Sequence, residues 1–501
     1  MSESEKYSVS EAPNEQNFKV ELPDPPEILK PEFLRAKGFT GRIKAAFAMF
    51  GPGAIIASVT LGSGEVIWAP RAAAIFGFTI LWAYFWGVIF KLGVIYPLVR
   101  YRVIAGESPV NILKHIPPRG WVVWFFVIMI LLCIASWNAA FIGMNGILMT
   151  KMTGVGNVAT WGIAMMTLAL ILVLVGGYRF LEKGQTIIIF GVVILMWIAV
   201  AMVRPEWIEV IKGLIPQPVS YPAWVHEKYP EIVSRNIWIE VGMYLGALGG
   251  GMYDYFAFLR YAKERKWGLL AHENADEIVD ILESIPSDRK LPLLPTKENI
   301  ERALAWMKAP FYDQVISFFV AIGLGTLPFL VLGATILHPQ QLVPAGFKLV
   351  EHQVQFLEII SPYAIPLYWL GMFFAIFGTS WGMLDTHASS VYELVRTVWP
   401  KAEKIGYNKF RLFPIFWEYV LGVLIFLTGI KPAQAVAFGG TLGGVFGIGL
   451  FGFLILYVEN KRLPKEFRLS TGWMALLIIS SVFLLALGSY SMYQLIIGWI
   501  S

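Results

Sequence analysis

Long apolar blocks alternate with short polar segments along the whole chain, and this alternation predicts the architecture. Each block holds about 20 or more residues, the length that crosses the hydrocarbon core of a bilayer as an α-helix. The sequence therefore predicts an all-α, polytopic membrane protein with about eleven transmembrane helices. The predicted spans are residues 45–76, 78–104, 120–149, 155–176, 184–203, 236–260, 311–337, 361–385, 411–430, 432–458 and 472–498.

The polar segments between the spans divide the chain into four parts. Lys and Arg residues concentrate in alternate segments, and because basic residues mark the cytoplasmic side, this bias predicts a cytoplasmic N-terminus and an extracytoplasmic C-terminus. We expect insertion in the cell (inner or plasma) membrane. The predicted parts are a disordered cytoplasmic tail (1–44), helices 1–6 with an extracellular loop at 204–235 (45–260), a cytoplasmic insert (261–309) and helices 7–11 (310–501).

Two of the predicted helices are interrupted by glycines next to an acidic residue. Gly62-Ser63-Gly64 precedes Glu65 in span 1, and a glycine run ending at Gly251 precedes Asp254 in span 6. Glycine has low helix propensity, so we expect the backbone to open at both places. Open backbone inside a membrane is tolerated only where it is buried in protein or lines a cavity. Both interruptions therefore predict a substrate site.

The spacing of the two interruptions indicates a repeat. They fall in the first and sixth spans, and an odd spacing of five spans gives two halves of opposite topology. This is the inverted five-helix repeat of many secondary transporters, known as the LeuT-type fold. We therefore expect five plus five helices and one more, with helices 1 and 6 broken.

The acidic residues at the interruptions have two open interpretations. An acid in the first turn of a half-helix is stabilised by unpaired N–H groups, so Glu65 and Asp254 would be caps. Burying a carboxylate in a membrane is costly, which favours substrate contact instead. Lys91 lies about 13 residues into span 2, near the middle of the bilayer. It either pairs with Glu65 or Asp254, in the place of a metal ion, or reaches a water-filled cavity.

Three further polar residues in the spans are expected to be structural. Asp385 and His387 are placed at the cytoplasmic end of span 8, where polar residues are ordinary. Glu418 is placed near the inner end of span 9, where we expect it to pair with a cation from a loop.

Composition excludes several other classes of protein. Of 501 residues, 56% are hydrophobic and 15% are charged, whereas ordinary globular chains are about a quarter charged. A lone cysteine, Cys133, excludes an internal disulfide. The sequence has no zinc signature, nucleophile elbow or phosphate loop, so we expect no enzyme, no cofactor and no nucleic-acid partner. The lipid bilayer is the expected environment, and a monomer is compatible with the sequence, which does not fix the oligomeric state.

The motif of span 1 resembles the Nramp family of divalent-metal transporters. Gly51-Pro52 precedes the glycine interruption by about ten residues, as Gly-Pro precedes the metal-binding motif of that family, and Phe76-Gly77 continues the likeness. The resemblance implies a divalent cation (Mn, Fe or Mg class) as substrate, moved by alternating access. It places Gly62 and Glu65 at the positions of two metal ligands, with Ser63 between them.

The resemblance extends to span 6 and fails in span 3. Met252 stands at the position of a thioether ligand, Asp254 at that of a histidine, and Val59 and Gly249 at positions that supply carbonyls. The positions of the acidic proton route of the family hold Leu131, Asn138 and Phe141 instead. Proton coupling is therefore not implied.

Two alternatives remain open from the sequence. Gly62-Ser63-Gly64 also resembles the Gly-Ser-Gly of amino acid–polyamine–organocation transporters, which implies an amino acid or amine as substrate and Lys91 as an internal cation. The insert 261–309 reads as two amphipathic helices, and it would be either a docking surface of a membrane sensor or a simple cover over the inner face.

Overall fold

A computed structural model describes residues 38–176, 191, 193–293 and 295–500 of the chain, and these residues contain helices and no strand. Residues 1–37, most of the tail that the sequence assigned to disorder, lie outside the described residues. Residues 177–190 and 192, which include the first part of predicted span 5 (184–203), lie outside them as well. The described part begins with a helix, Gly38–Met49, inside the segment assigned to the tail.

The membrane helices that the structure describes are labelled α1 to α11, with helix 6 in two halves. Helix α1 has three parts, Pro52–Thr60, Leu61–Trp68 and Ala69–Phe76, and α2 is Leu81–Ala105. The helices that follow are α3 Trp121–Thr153, α4 Val158–Val175, α5 Val193–Val203, α6a Ile237–Ala247, α6b Met252–Glu264, α7 (Lys308–Val315, Ile316–Gly323, Leu324–Leu332 and Gly333–Leu337), α8 Ile365–Val398, α9 Leu412–Leu427, α10 (Pro432–Thr441, Leu442–Phe446 and Gly447–Arg462) and α11 Thr471–Ile500.

Length and apolar composition identify eight of the described helical stretches as able to cross a membrane. The first of them, Gly64–Ala105, joins the second half of α1 to α2. Helix 6 is absent from these eight because its halves have only 11 and 13 residues. At 1.5 Å per residue each half spans about 20 Å or less, short of a hydrocarbon core of about 30 Å. Only α6a and α6b together cross the membrane.

The insert lies against the ends of several membrane helices. We call the side of the molecule that carries residues 261–309 the insert face. Buried Arg462 of α10 donates to both carboxylate oxygens of Glu107 at 2.8 Å, and its guanidinium also donates to the carbonyl oxygens of Pro286 and Arg289 in the insert. Two short helices, Ala275–Ser284 and Lys297–Trp306, form the rest of the insert. The insert is thus tied to α10 by a buried arginine.

The opposite side carries residues 204–235, and we call it the loop face. Its connection from α5 folds into three short helices, Trp207–Gly213, Ala223–Lys228 and Pro230–Val233. Below them, Arg71 of α1 pairs with Glu240 of α6a at 3.1 Å and donates to the carbonyl oxygen of Pro344 at 2.7 Å. Both side chains are almost fully buried, so this pair closes the loop face over the interrupted helices.

Helix α8 is longer than the sequence predicted. The predicted span ended at residue 385, but the helix continues to Val398 because Ala388, Val391 and Leu394 keep an apolar, buried face at helical spacing. His387 is therefore inside a long helix and not at a helix end. This extension places it beside α6b and α9.

Candidate functional site

Helix α1 is interrupted by a π-helical segment, Leu61–Trp68. Our expectation that the backbone opens at Gly62 and Gly64 was wrong, because the wider π-helix keeps the chain helical through this region. The glycines serve close packing instead. A Cβ at Gly62 would lie 2.0 Å from the carbonyl oxygen of Ala375 in α8, and one at Gly64 would lie 2.3 Å from that of Ala247 in α6a.

The interruption of helix 6 is open. Helix α6a ends at Ala247, α6b begins at Met252, and the chain between them is not helical. Gly249 and Gly250 have φ angles of +67° and +79°, in the left-handed region that glycine adopts without strain. Carbonyl groups at the end of α6a and within this break consequently have no intrahelical partner.

The carboxylate of Glu65 bridges the two interrupted helices. Glu65 is fully buried, and its Oε1 accepts a hydrogen bond of 3.0 Å from the backbone N–H of Gly249. It therefore binds the break of helix 6. This contact fixes an acidic group of α1 at the open segment of helix 6.

Lys91 of α2 reaches the same open segment. Its fully buried Nζ donates to the carbonyl oxygens of Gly246 at 3.3 Å and Gly250 at 2.6 Å, and also to that of Leu248. We call these three carbonyl oxygens the carbonyl cup. The backbone of the break, and not a carboxylate, receives the ammonium, so the close ion pair expected with Glu65 or Asp254 is not formed.

A small cavity of about 20 Å³ lies beside this segment. It has room for about one water-sized particle. Asp254 is the acidic residue in its wall, with Oδ2 capping α6b through the N–H of Gly251 at 3.0 Å and Oδ1 lying 3.5 Å from Nε2 of His387. The other lining residues come from α1, α3, helix 6 and α8: Val59, Thr60, Trp137, Phe141, Ala247, Gly250, Tyr253, Thr379, Met383 and His387.

A chain of buried polar side chains leads away from the cavity. Nδ1 of His387 lies 2.9 Å from Oε1 of Glu418, so Asp254, His387 and Glu418 connect α6b, α8 and α9. Our expectation that Glu418 pairs with a loop cation was wrong, because the extended α8 brings His387 to it. Asp385 instead pairs with Arg411 at 3.2 Å and accepts from the hydroxyl of Tyr407 at 2.9 Å.

Comparison with protein families decides the class of this molecule. The model of the family described as natural resistance-associated macrophage protein-like, or Nramp, matches residues 53–494, nearly the whole chain. The chain belongs to the Nramp family. It is an integral, multi-pass membrane transporter with the LeuT-type fold.

Solved structures agree with this Nramp fold. A crystal structure of the manganese transporter of Eremococcus coleocola, in complex with an aromatic bis-isothiourea compound, has a TM-score of 0.64 and 13% identity, covering 93% of this chain and 90% of that one. A second structure of that transporter, carrying a single substitution, has a TM-score of 0.63 and 15% identity over 92% and 89% of the two chains. A comparison with curated protein sequences finds none that matches.

In this Nramp chain, five of the eight expected site residues fall into two groups. Val59 and Asp254 line the cavity, whereas Glu65, Gly249 and Lys91 meet at the break of helix 6. Of the remaining three, Gly62 packs on α8, Met252 is buried at the start of α6b and does not line the cavity, and Ser63 has a side chain outside the described part of the chain.

Sequence reasoning missed the position of His387. The signal was present, since the apolar spacing after residue 385 continues for three more turns. Over the part of the chain that the structure describes, no group of three or more His, Cys, Asp or Glu side chains is arranged to hold a metal ion. Any cation here would depend on few carboxylates and on backbone carbonyls.

Proposed function

We propose that this Nramp protein carries a divalent cation of the Mg²⁺ or Mn²⁺ class across the membrane by alternating access. The ion would bind in the cavity between α1 and helix 6, with Asp254 in its wall and Glu65 held at the neighbouring break of helix 6. The observation that carries this proposal is the size and lining of the cavity beside Asp254.

Cavity size favours an ion over an organic solute. The space of about 20 Å³ holds one water-sized particle, as a site for a single ion requires. An amino acid or an organic amine would need several times this volume. The alternative of an organic substrate therefore demands a much larger rearrangement of α1, α3 and α8 than a cation does.

The available donors favour a hard cation. Carboxylate and carbonyl oxygens suit Mg²⁺, Mn²⁺ and Ca²⁺, while imidazole and thiolate select later transition metals. Asp254 and Glu65 supply carboxylates, and Gly250 of the helix 6 break lines the cavity with its backbone. The imidazole of His387 also lines the cavity, but its two nitrogens already face Asp254 and Glu418. The similar transporter of Eremococcus coleocola is named for manganese, which makes Mn²⁺ the first ion to examine.

The orientation follows from the basic residues. We propose that the insert face is cytoplasmic and the loop face extracytoplasmic, in the inner or plasma membrane. Arg71 and Glu240 would then close the site on the outside, and the Arg462–Glu107 pair, which also binds the insert, would support its inner side.

Uptake of Mn²⁺ and Mg²⁺ into proteoliposomes tests the proposal, with wild type beside Glu65→Ala. We expect uptake by the wild type and its loss in Glu65→Ala, because this substitution removes the carboxylate at the helix 6 break. Glu206→Ala, which changes an exposed carboxylate on the loop face, should retain uptake. Absence of Mn²⁺ and Mg²⁺ flux in correctly inserted wild type would contradict the proposal and direct attention to amine substrates.

A further inference from the structure

The ammonium group of Lys91 occupies a position that is built for a positive charge. A protonated amine has three N–H donors, and the carbonyl cup offers three acceptors, the oxygens of Gly246, Leu248 and Gly250. Gly246 belongs to the last turn of α6a, where unpaired carbonyls concentrate negative partial charge. The cup therefore compensates part of the cost of burying a charge in the membrane.

Two acidic residues lie near this ammonium without forming a close ion pair with it. Glu65 and Asp254 are near enough to act on Lys91 electrostatically. Glu65 is held at the N–H of Gly249, and Asp254 is held at that of Gly251, so these two contacts flank the carbonyl of Gly250. Three carbonyls thus bind one side-chain cation, and two carboxylates lie near it.

The cup and the cavity share a residue. Gly250 supplies a carbonyl to Lys91 and also lines the cavity beside Asp254. A divalent ion in the cavity and an ammonium in the cup would be neighbouring positive charges in a medium of low dielectric constant, and they would repel strongly. Simultaneous occupation of both positions is unfavourable.

We propose that the carbonyl cup is a cation site that Lys91 occupies while no ion is bound, and that the transported ion displaces the ammonium from it. This inference rests on the proposed function for the identity of the displacing ion. Lys91 is then a tethered substitute for the substrate. The transporter without an ion keeps a positive charge at the break of helix 6 and can reorient without a second cation.

Chemical rescue tests whether the cup is a cation site, independently of transport. Lys91→Ala should lower the apparent melting temperature of the detergent-purified protein, because three carbonyls lose their donor. Added n-propylammonium, which replaces the missing part of the side chain, should raise the melting temperature of this variant. It should not do so for wild type or for Lys151→Ala, which changes a partly exposed lysine paired with Glu351. No rise specific to Lys91→Ala would overturn the cation site.

Ion binding tests the displacement. Isothermal titration of Mn²⁺ into Lys91→Met should show affinity at least about tenfold tighter than in wild type, because the ion no longer competes with a neighbouring positive charge. Unchanged or weaker affinity in folded Lys91→Met would overturn the displacement. If n-propylammonium rescues Lys91→Ala while wild type transports no divalent ion, the cation site stands and the proposed function fails.

Mn²⁺ uptake into vesicles that contain no divalent ion tests whether the empty transporter needs Lys91 to reorient. Lys91→Met should slow net Mn²⁺ uptake, since the empty transporter lacks its substitute cation, while exchange of internal for external Mn²⁺ continues. Equal loss of uptake and exchange would contradict a role in the empty transporter.

Discussion

The two interrupted helices have similar glycine-rich sequences and different structures. Helix α1 stays helical through Leu61–Trp68, whereas helix 6 opens between Ala247 and Met252. The glycines of α1 bring its backbone against α8 and α6a. Those of helix 6 allow positive φ angles and leave carbonyl groups that Lys91 and Tyr255 satisfy. A glycine run in a membrane helix therefore indicates either close packing or an open backbone, and the neighbouring elements decide which.

Filling the close contact at Gly64 is expected to cause the largest loss of stability. A Cβ there would lie 2.3 Å from the backbone oxygen of Ala247, which cannot move without shifting α6a. Gly64→Ala should lower the free energy of unfolding by about 3 kcal/mol or more. The apparent melting temperature in detergent measures this loss. Gly371→Ala in α8 is the matched control, since a Cβ at Gly371 meets no atom within 4 Å. Equal stability of both variants would remove the packing role from α1.

Replacing Gly250, whose backbone is left-handed, is expected to cause an intermediate loss of stability. Its φ of +79° is unfavourable for alanine, and a Cβ would also lie 2.7 Å from Oδ2 of Asp254. Gly250→Ala should cost about 1–3 kcal/mol and weaken Mn²⁺ binding, because it disturbs the cap of α6b. Gly440→Ala, at a helical glycine whose nearest atoms are 3.5 Å away, should cost less. A melting temperature of Gly250→Ala as high as that of Gly440→Ala would contradict an open break in helix 6.

Removing the hydroxyl of Tyr255 is expected to cause the smallest loss of stability. It donates to the carbonyl oxygen of Gly249 at 2.9 Å, so Tyr255→Phe should cost about 1 kcal/mol by leaving this oxygen unpaired. Tyr244→Phe removes a buried hydroxyl with no hydrogen-bond partner among the described residues and should be nearly neutral. Thermal unfolding of the two variants side by side measures the difference. A larger loss in Tyr244→Phe would show that the carbonyls of the break need no donors.

The fold could be predicted from the sequence further than the site could. Apolar block length and the five-span separation of the glycine motifs are local signals, and family and structural comparisons confirm the LeuT-type fold that they predicted. The partner of Lys91 is not a local signal. Ion pairing was the natural expectation for a lysine in a membrane, but the donors of α2 meet carbonyls more than 150 residues away in the chain.

Helix α8 shows a second reason why the structure differs from the sequence prediction. Its polar residues, Asp385 and His387, were assigned by counting from the start of the apolar block, and the count ended too early. The helix continues on small and apolar residues, so His387 contacts Glu418 rather than a cytoplasmic loop. Block length predicts that a helix crosses the membrane, but side chains of neighbouring helices determine where it ends.

The carbonyl cup also has a mechanical consequence. The half α6a is attached to α1 through Arg71 and Glu240, while α6b is attached to α8, where the N–H of Ala257 donates to Ser390 at 3.0 Å. Bending between the halves would occur at the left-handed glycines Gly249 and Gly250, and Lys91 ties the last turn of α6a to this break. With no ion bound, the two halves would therefore reorient together, and displacement of Lys91 by a bound ion would let them bend relative to each other.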